Sequence, residues 1–322
     1  MPMMRTARLA LCAVALGLPF VASAHAEYPE RAVSFIAQAA PGSGFDAITR
    51  AVATTMQQEG LIKVPMPVTN FPSSAAGMQN VVTRHANDPY MVSFQSLSGM
   101  MRYATGSSEY THKDVTPIAR MISDYYVVAV RADSEMKTLK DFLDALKADP
   151  KAFPITGGQS DDRIFYGLMF SKYSIDPTKI NYVAFSGGGE ASAILLEGSA
   201  KAQISTLSDI AGLIKSGQVR ALAVSGKKLT GDFANIPTLK ESGIDIEWQN
   251  FRYALGGPNM PPEAVAYWRG KLQEMVKTKA WKDVLERNRW GDEFLIEGFD
   301  TYLDNTQNQI LDIARTLGVA KR

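Results

Sequence analysis

The sequence is poor in the residues that usually carry covalent and metal chemistry. Among its 322 residues there are one cysteine and three histidines. A single cysteine excludes a disulfide framework and a cysteine-rich metal site. An excess of charge is also missing, since 34 Lys and Arg face 33 Asp and Glu and the formal net charge is +1. This balance excludes a basic surface for nucleic acid or for an anionic membrane.

Long hydrophobic runs are rare, and the clearest one lies near the N-terminus. Two arginines precede the apolar run 9–22, and small residues follow it. The run is too short to span a bilayer. Its order of charged, apolar and small residues predicts a secretory signal peptide over residues 1–26, with cleavage after Ala26 or, as the alternative, after Ala24.

Removal of the predicted signal peptide leaves two histidines, His85 and His112, and no cysteine. A chain without thiols tolerates an oxidising compartment. Both histidines lie in polar stretches that we predict as surface loops, so neither a Ser-His-Asp set nor a zinc site is supported. The motifs G-x-S-x-G, H-E-x-x-H and G-x-x-x-x-G-K-[ST] do not occur in the sequence. We expect no enzyme activity, no metal and no cofactor.

Strand-type and helix-type segments alternate along most of the chain, which predicts an α/β fold with mostly parallel sheets covered by helices. A mainly helical tail follows and is expected to pack back onto one of the two blocks. Predicted strands are 32–37, 64–70, 91–95, 125–130, 153–156, 180–185, 202–206 and 219–224. Predicted helices are 45–58, 78–85, 139–147, a helix that ends near residue 173, 190–197, 207–215, 262–278, 281–288 and 299–317.

The length corresponds to about two domains. The apolar runs 125–130 and 248–257 lie between the blocks, and we predict that the chain crosses there from one domain to the other. Residues 27–124 plus 250–322 are the predicted first domain, and residues 125–249 the predicted second domain.

Three segments rich in glycine and serine lie at predicted strand-to-helix junctions, and a fourth junction holds serine and threonine. In parallel sheets such junctions lie at the carboxyl ends of strands, where open α/β proteins bind ligands. Each junction opens a helix, whose first N–H groups are unpaired and whose dipole favours an anion. The loops predict a site for a carboxylate or phosphate held by main-chain donors, with simple tight turns as the alternative. The candidate residues are Pro41, Gly42, Ser43, Gly44, Phe45 and Asp46, then Gly157, Gly158, Gln159, Ser160, Asp161, Asp162 and Arg163, then Phe185, Ser186 and Gly187, and finally Thr206.

Several charged residues near these loops have two interpretations. Asp46, in a first helical turn, either complements the helix dipole or organises the loop around a ligand. Arg163 starts a helix, where a cation is unfavourable, so a neighbouring aspartate, solvent or a ligand carboxylate must compensate. Arg252 is either a surface ion-pair partner or a ligand contact. Residues 42–47 also match the dinucleotide fingerprint G-x-G-x-x-A, but the acidic residue expected about 20 positions later is missing, so this signal is weak.

Eight segments in a set order carry a family resemblance. They are YPER at 28–31, APGSGFD at 40–46 with Arg50, NFP at 70–72, DPY at 88–90, KDVTPIAR at 113–120, VRADS at 130–134, NYVAFSGGGE at 181–190 and RALAVS at 220–225. In this order and spacing they resemble the Bug/TctC family, the periplasmic solute-binding proteins of tripartite tricarboxylate transporters.

The resemblance implies a two-domain α/β periplasmic binding protein, type II-like, that closes on ligand around a central cleft like a flytrap. It implies that residues 42–46 and 157–162 bind an organic carboxylate through backbone N–H groups and ordered water. A di- or tricarboxylate is expected, citrate-like or aromatic. The second loop departs from the family pattern at Gln159–Arg163, which leaves the identity of the acid open.

The implied partners are the small organic acid and the permease subunits of the transporter, with no nucleic acid. The implied protein is a monomer in the periplasm. Two other functions stay open at this point: a ligand-sensing subunit of a two-component sensor, and a secreted α/β hydrolase.

Overall fold

The structure, a computed structural model, describes residues 28–158, 161–185 and 188–321. These residues form ten α-helices, ten β-strands and three short 3₁₀ turns, and the strands build two five-stranded sheets. The predicted α/β class is confirmed. Outside the described residues lie the predicted signal peptide and four candidate site residues, Gln159, Ser160, Ser186 and Gly187.

The first sheet draws its strands from both ends of the chain. They are β1 (Ser34–Ala37), β2 (Val68–Asn70), β3 (Met91–Ser96), β4 (Thr116–Asp124) and β10 (Asn250–Gly256), in the order β2-β1-β3-β10-β4. Strand β1 pairs in parallel with β2 and β3, whereas β10 pairs antiparallel with β3 and β4. The register places Ala37 beside Asn70 and Phe94, so β1, β2 and β3 end at one edge of the sheet.

The second sheet repeats this plan with strands from the middle of the chain. They are β5 (Tyr126–Arg131), β6 (Ile155–Gly158), β7 (Tyr182–Phe185), β8 (Ala202–Thr206) and β9 (Val219–Val224), in the order β7-β6-β8-β5-β9. Strand β6 is parallel to β7 and β8, and β5 is antiparallel to β8 and β9. The register brings Gly158 beside Phe185, so the second and third predicted loops leave the sheet side by side.

Ten helices of the described chain surround these sheets. They are α1 (Gly44–Gln58), α2 (Ser74–Arg84), α3 (Leu97–Ala104), α4 (Leu139–Ala148), α5 (Asp161–Lys172), α6 (Gly188–Glu197), α7 (Leu207–Lys215), α8 (Pro262–Met275), α9 (Lys279–Asn288) and α10 (Phe299–Thr316). Helix α4 shows why they form: its apolar residues Phe142, Leu143 and Leu146 are buried on one side, and Thr138 caps its first turn. No helix in the described ranges combines the length and apolarity that a bilayer span requires.

In each sheet the antiparallel strand is one that crosses from the other sheet. Tyr125 alone separates β4 from β5, and β10 brings the chain back from the second sheet to the first. These strands coincide with the apolar runs 125–130 and 248–257 that predict the crossings. They are apolar because each is buried in the middle of a sheet that helices cover.

Three elements are missing from the sequence prediction: β4, α3 and β10, whose segment is predicted only as an apolar run at a domain crossing. Strand β4 contains Pro117 and Arg120, which interrupt the apolar pattern that predicts a strand. Helix α3 follows β3 without any intervening turn, because the last strand residue, Ser96, also caps the helix. The two-residue repeat of the strand passes directly into the helical repeat, without turn residues between them. The sequence therefore contains no signal that separates the two elements.

The helical tail contacts both parts of the molecule. Helix α8 packs on the first sheet, where the Trp268 and Phe35 ring centroids are 5.8 Å apart. Helix α10 instead packs on α3 and on α5, and a Cβ at Gly167 would lie 3.1 Å from the Leu317 side chain. The prediction that the tail packs onto one block is therefore wrong for α10, because its apolar residues face the space between α3 and α5.

We expect Trp268→Ala to lower the free energy of unfolding by about 3–5 kcal/mol, because the side chain is completely buried against β1. Urea unfolding followed by circular dichroism measures this. Val183→Ala is the matched control, since Val183 is 40% exposed and its loss leaves no cavity. Equal stabilities of the two variants would contradict the packing of α8 on the first sheet.

Candidate functional site

The first predicted loop joins β1 to α1 at the carboxyl edge of the first sheet. Ser43 caps α1, and its hydroxyl accepts a hydrogen bond from the N–H of Asp46 at 3.3 Å. Gly42 has a φ of +80°, a conformation that favours glycine. The Asp46 carboxylate reaches back and accepts the N–H of Gly42 at 2.9 Å. The loop is thereby closed on itself at the start of α1.

Asp46 also ties the loop to its surroundings. Its second oxygen accepts hydrogen bonds from Nε of Arg50 at 2.8 Å and from Nδ2 of Asn70 at 2.9 Å. Burial of the carboxyl raises its pKa, but the hydrogen bonds from Gly42, Arg50 and Asn70 outweigh burial and hold the pKa of Asp46 below its usual value. Of the two interpretations of Asp46, the structure supports loop organisation.

These contacts decide which main-chain donors of the first loop are free. The N–H groups of Gly42 and Asp46 are bonded within the loop. Among the described residues, the N–H groups of Gly44 and Phe45 have no hydrogen-bond acceptor. Gly44 is exposed and Phe45 is partly buried. The loop donors without an acceptor are therefore the first two N–H groups of α1, where the helix dipole adds to their attraction for an anion.

The second loop, at the end of β6, is held by close packing. A Cβ atom at Gly157 would lie 2.2 Å from the carbonyl oxygen of Ile204 and 2.3 Å from Oη of Tyr182. The Asp162 carboxylate accepts the N–H of Gly158 at 2.5 Å, and Tyr182 donates to the Gly158 carbonyl at 2.9 Å. The Gly158 N–H is thus bonded within the protein, as that of Gly42 is in the first loop.

Arg163 has a partner that sequence reasoning misses. Its Nε donates to Oη of Tyr166 at 3.2 Å, one helical turn further along α5. Spacing of three residues on a helix is a signal that could have found this pair. Asp162, one of the compensating groups considered from the sequence, accepts the N–H of Gly158.

We expect Gly157→Ala to destabilise the fold by about 1–3 kcal/mol, because the added carbon overlaps main-chain and tyrosine oxygens. Urea unfolding measures the change. Gly212→Ala in α7 is the matched control: nothing lies within 4 Å of its added Cβ, so that change should be neutral or stabilising. A stable Gly157→Ala protein would disprove the close approach of β6, β8 and Tyr182.

A polar cluster links the first sheet to the second where β4 passes into β5. Asp124, the last residue of β4, is completely buried and accepts a hydrogen bond from Oγ of Ser208 at 2.5 Å. The hydroxyl of the predicted site residue Thr206 lies 3.0 Å from Oγ of Ser208 and donates to Asp209 at 3.1 Å. The sequence analysis misses Asp124, Ser208 and Asp209. An aspartate that ends an apolar strand is the signal that could have indicated Asp124.

Arg252 extends from β10 towards the first loop. A Cβ at Gly44 would lie 2.7 Å from Nη2 of Arg252, and the guanidinium carbon lies 5.3 Å from the Trp290 ring centroid. Its positive charge also acts on Asp124 and Asp209, where it opposes the rise in pKa that burial of each carboxyl causes. Arg252, which is far from both segments in sequence, thus lies against the first loop and also acts on the acids near Thr206.

Burial raises the pKa of Asp124 to about 6, with a further rise from Asp209, against the opposing effects of Arg252 and Ser208. An aspartate in an unfolded chain titrates near ~3.9. Between about pH 4 and pH 6 the folded chain therefore binds more protons than the unfolded chain, and Asp124 lowers stability as the pH rises through this window.

We expect Asp124→Asn to remove this pH dependence, since asparagine can still accept the Ser208 hydroxyl but does not titrate. The free energy of unfolding of the wild type, relative to the variant, should fall by about 2–3 kcal/mol between pH 4 and pH 7. Urea unfolding at a series of pH values measures it. Asp245→Asn, at a side chain 97% exposed, is the control. Parallel pH profiles for wild type and Asp124→Asn would contradict the burial of an ionisable Asp124.

The two histidines have local partners. His112 is only 5% exposed, and its Nε2 lies 3.0 Å from Oδ1 of Asp304 on α10. The prediction of a surface loop is wrong for His112, because α10 covers it. His85, partly buried at the end of α2, pairs with Asp88 at 2.8 Å. Each of the two histidines thus pairs with an aspartate.

Comparison with known proteins identifies the family. The sequence model of the tripartite tricarboxylate transporter family receptor, TctC, matches residues 48–317. The chain belongs to this family. The match covers every strand of the two sheets except β1 and the helices from α2 to α10, and it confirms the resemblance carried by the sequence segments.

Relatives and solved structures of the TctC family agree with the fold. BugT of Bordetella pertussis is 26% identical over 268 residues, which are 79% of this chain and 78% of BugT. A solved TctC solute-binding protein from Polaromonas, without ligand, is 26% identical with a TM-score of 0.78 over 90% of this chain and 100% of its own. The family model describes a receptor, the Polaromonas protein is a solute-binding protein, and BugD, a further structure of the same fold, is a periplasmic binding protein.

Two more distant structures share the fold of this TctC-family chain. MatC from Rhodopseudomonas palustris, solved with bound malate, is 18% identical with a TM-score of 0.68. A second R. palustris protein, solved with adipate, is 16% identical with a TM-score of 0.75. Each alignment covers 91% of this chain and 99% of the other.

Proposed function

We propose that this chain is a periplasmic receptor that binds an organic carboxylate and delivers it to the membrane permease of a tripartite tricarboxylate transporter. The observation that carries this proposal is the start of α1. Two N–H groups there, on Gly44 and Phe45, have no acceptor among the described residues, and Arg252 lies beside them. Unpaired donors, a helix dipole and a cation together favour a carboxylate.

The ligand lies between two domains in this proposal. Residues 27–124 plus 250–322 form the first domain and residues 125–249 the second, with the chain crossing at β5 and β10. The first loop contributes residues 41–46, and the second domain contributes residues 157–163, 185–187 and Thr206. Ligand contacts from both sides favour the closed state, and the extent of closure is limited by the difference in affinity for the open and closed states.

A di- or tricarboxylate is the proposed class of ligand. Two proteins of the same fold are solved with dicarboxylates, malate and adipate. Membership of a family named for tricarboxylate transport supports the same class. The predicted signal peptide over residues 1–26 supports export to the periplasm. In this role the protein is a monomer, uses no cofactor and carries out no covalent chemistry.

A thermal-shift screen of organic acids tests this function. At a concentration 100 times its dissociation constant, a ligand of the folded state adds about 2.7 kcal/mol of apparent stability. We expect stabilisation by at least one di- or tricarboxylate among malate, adipate, citrate and aromatic diacids, and none by the corresponding diamides. Absence of any response to these acids would contradict the proposed ligand class.

We expect Gly44→Val to abolish binding of the acid found in this screen while the fold is retained. The added side chain would overlap Nη2 of Arg252 and cover the two open N–H groups. Calorimetric titration of the folded variant measures the affinity, with Gly212→Ala as the control outside the site. An unchanged dissociation constant for Gly44→Val would show that the first loop does not contact the ligand.

A further inference from the structure

The Arg252 side chain lies against residue 44, where glycine leaves room for it. It lies on β10 opposite Ser96, at the end of β3, and its side chain runs towards the start of α1. A Cβ at Gly44 would lie 2.7, 3.2 and 3.4 Å from Nη2, Cζ and Nε of Arg252. Contact with all three atoms means that the guanidinium lies along the main chain of residue 44. The strand and the loop therefore bring a cation to the positive end of a helix.

This guanidinium has no hydrogen-bond acceptor and no ion-pair partner within the described chain. A guanidinium carries five N–H donors. Among the described residues, none accepts a hydrogen bond from the Arg252 side chain, and no carboxylate lies within the 4.0 Å of an ion pair. Its Nη1 is buried without an acceptor. Burying donors without acceptors is unfavourable, and the dipole of α1 adds to the cost.

The nearby acids do not supply the missing acceptor. Asp124 binds the hydroxyl of Ser208, and Asp209 binds that of Thr206. Both acids interact with Arg252 through charge alone. The Trp290 ring, 5.3 Å from the guanidinium carbon, holds the cation by a cation–π contact. The surroundings therefore position the guanidinium but leave its donors open.

We propose that Arg252 is the charged residue that anchors the ligand. Its guanidinium binds one carboxylate of the organic acid, next to the open N–H groups of Gly44 and Phe45. This inference rests on the proposed function and adds to it a specificity-determining residue in the first domain. A planar guanidinium binds a carboxylate through two parallel hydrogen bonds, which a single ammonium cannot reproduce. Asp46 contributes indirectly, by holding the loop that presents the two N–H groups.

The first test measures affinity. Calorimetry compares wild type, Arg252→Gln, Arg252→Lys and the control Arg315→Gln, whose exposed side chain pairs with Asp312 on α10. The probes are adipate and malate, each beside its monoamide. We expect Arg252→Gln to weaken binding of the diacid by about 10- to 100-fold, Arg252→Lys to weaken it less, and Arg315→Gln to leave it unchanged. Equal affinities of wild type and Arg252→Gln would overturn the assignment.

The second test compares stability with and without the diacid. At one fixed concentration of the acid, the urea midpoint of unfolding should rise more for wild type and Arg315→Gln than for Arg252→Gln, because only the first two proteins keep the proposed anchor. Equal rises in all three proteins would overturn the proposal. The two failures stay distinct: binding by wild type and Arg252→Gln alike rejects the anchor only, and binding of no acid by wild type rejects the proposed function.

Discussion

The Asp46 carboxylate holds the first loop in the shape on which the candidate site depends. It accepts hydrogen bonds from Gly42, Arg50 and Asn70, and so joins the loop, α1 and the end of β2. The carboxylate binds the N–H of Gly42 and the Ser43 hydroxyl binds the N–H of Asp46, so the N–H groups of Gly44 and Phe45 at the start of α1 remain open. The Arg252 side chain lies against residue 44, where glycine leaves room for it. Asp46 and Ser43 together thus determine which donors of the loop are free.

The crossing strands explain how distant residues meet at this place. Strands β5 and β10 each enter a sheet antiparallel to their neighbours, so the chain passes between the sheets beside the carboxyl ends of the parallel strands. Asp124 lies at the first crossing and Arg252 just after the second. Thr206 ends β8 of the second sheet, and Ser208 lies in the helix that follows. Ser208 contacts Asp124 of the first sheet, and Thr206 contacts Asp209. Folding of the sheets therefore brings the charged cluster together, and the buried Asp124 is kept because its oxygens are hydrogen-bonded.

Stability and binding make opposite demands on this cluster. A buried acid whose pKa is raised to about 6 and a guanidinium without an acceptor both weaken the empty protein. Apolar burial elsewhere offsets this cost, for example around Trp268 on the first sheet and along α10 between α3 and α5. In the proposed receptor, a bound carboxylate supplies the acceptor that the Arg252 guanidinium lacks, so binding recovers the stability that the empty protein loses at this residue.

The local pattern of the sequence by itself determined the alternation of strands and helices and the glycine-rich junctions at the edges of the sheets. These features depend on residues a few positions apart, where period, capping and backbone freedom act. Only the tertiary structure decided that α10 covers His112, that Tyr166 pairs with Arg163 while Asp162 binds Gly158, and that Arg252 meets Gly44. Such contacts depend on strand order and register, which join residues far apart in the chain through packing and leave no local signal.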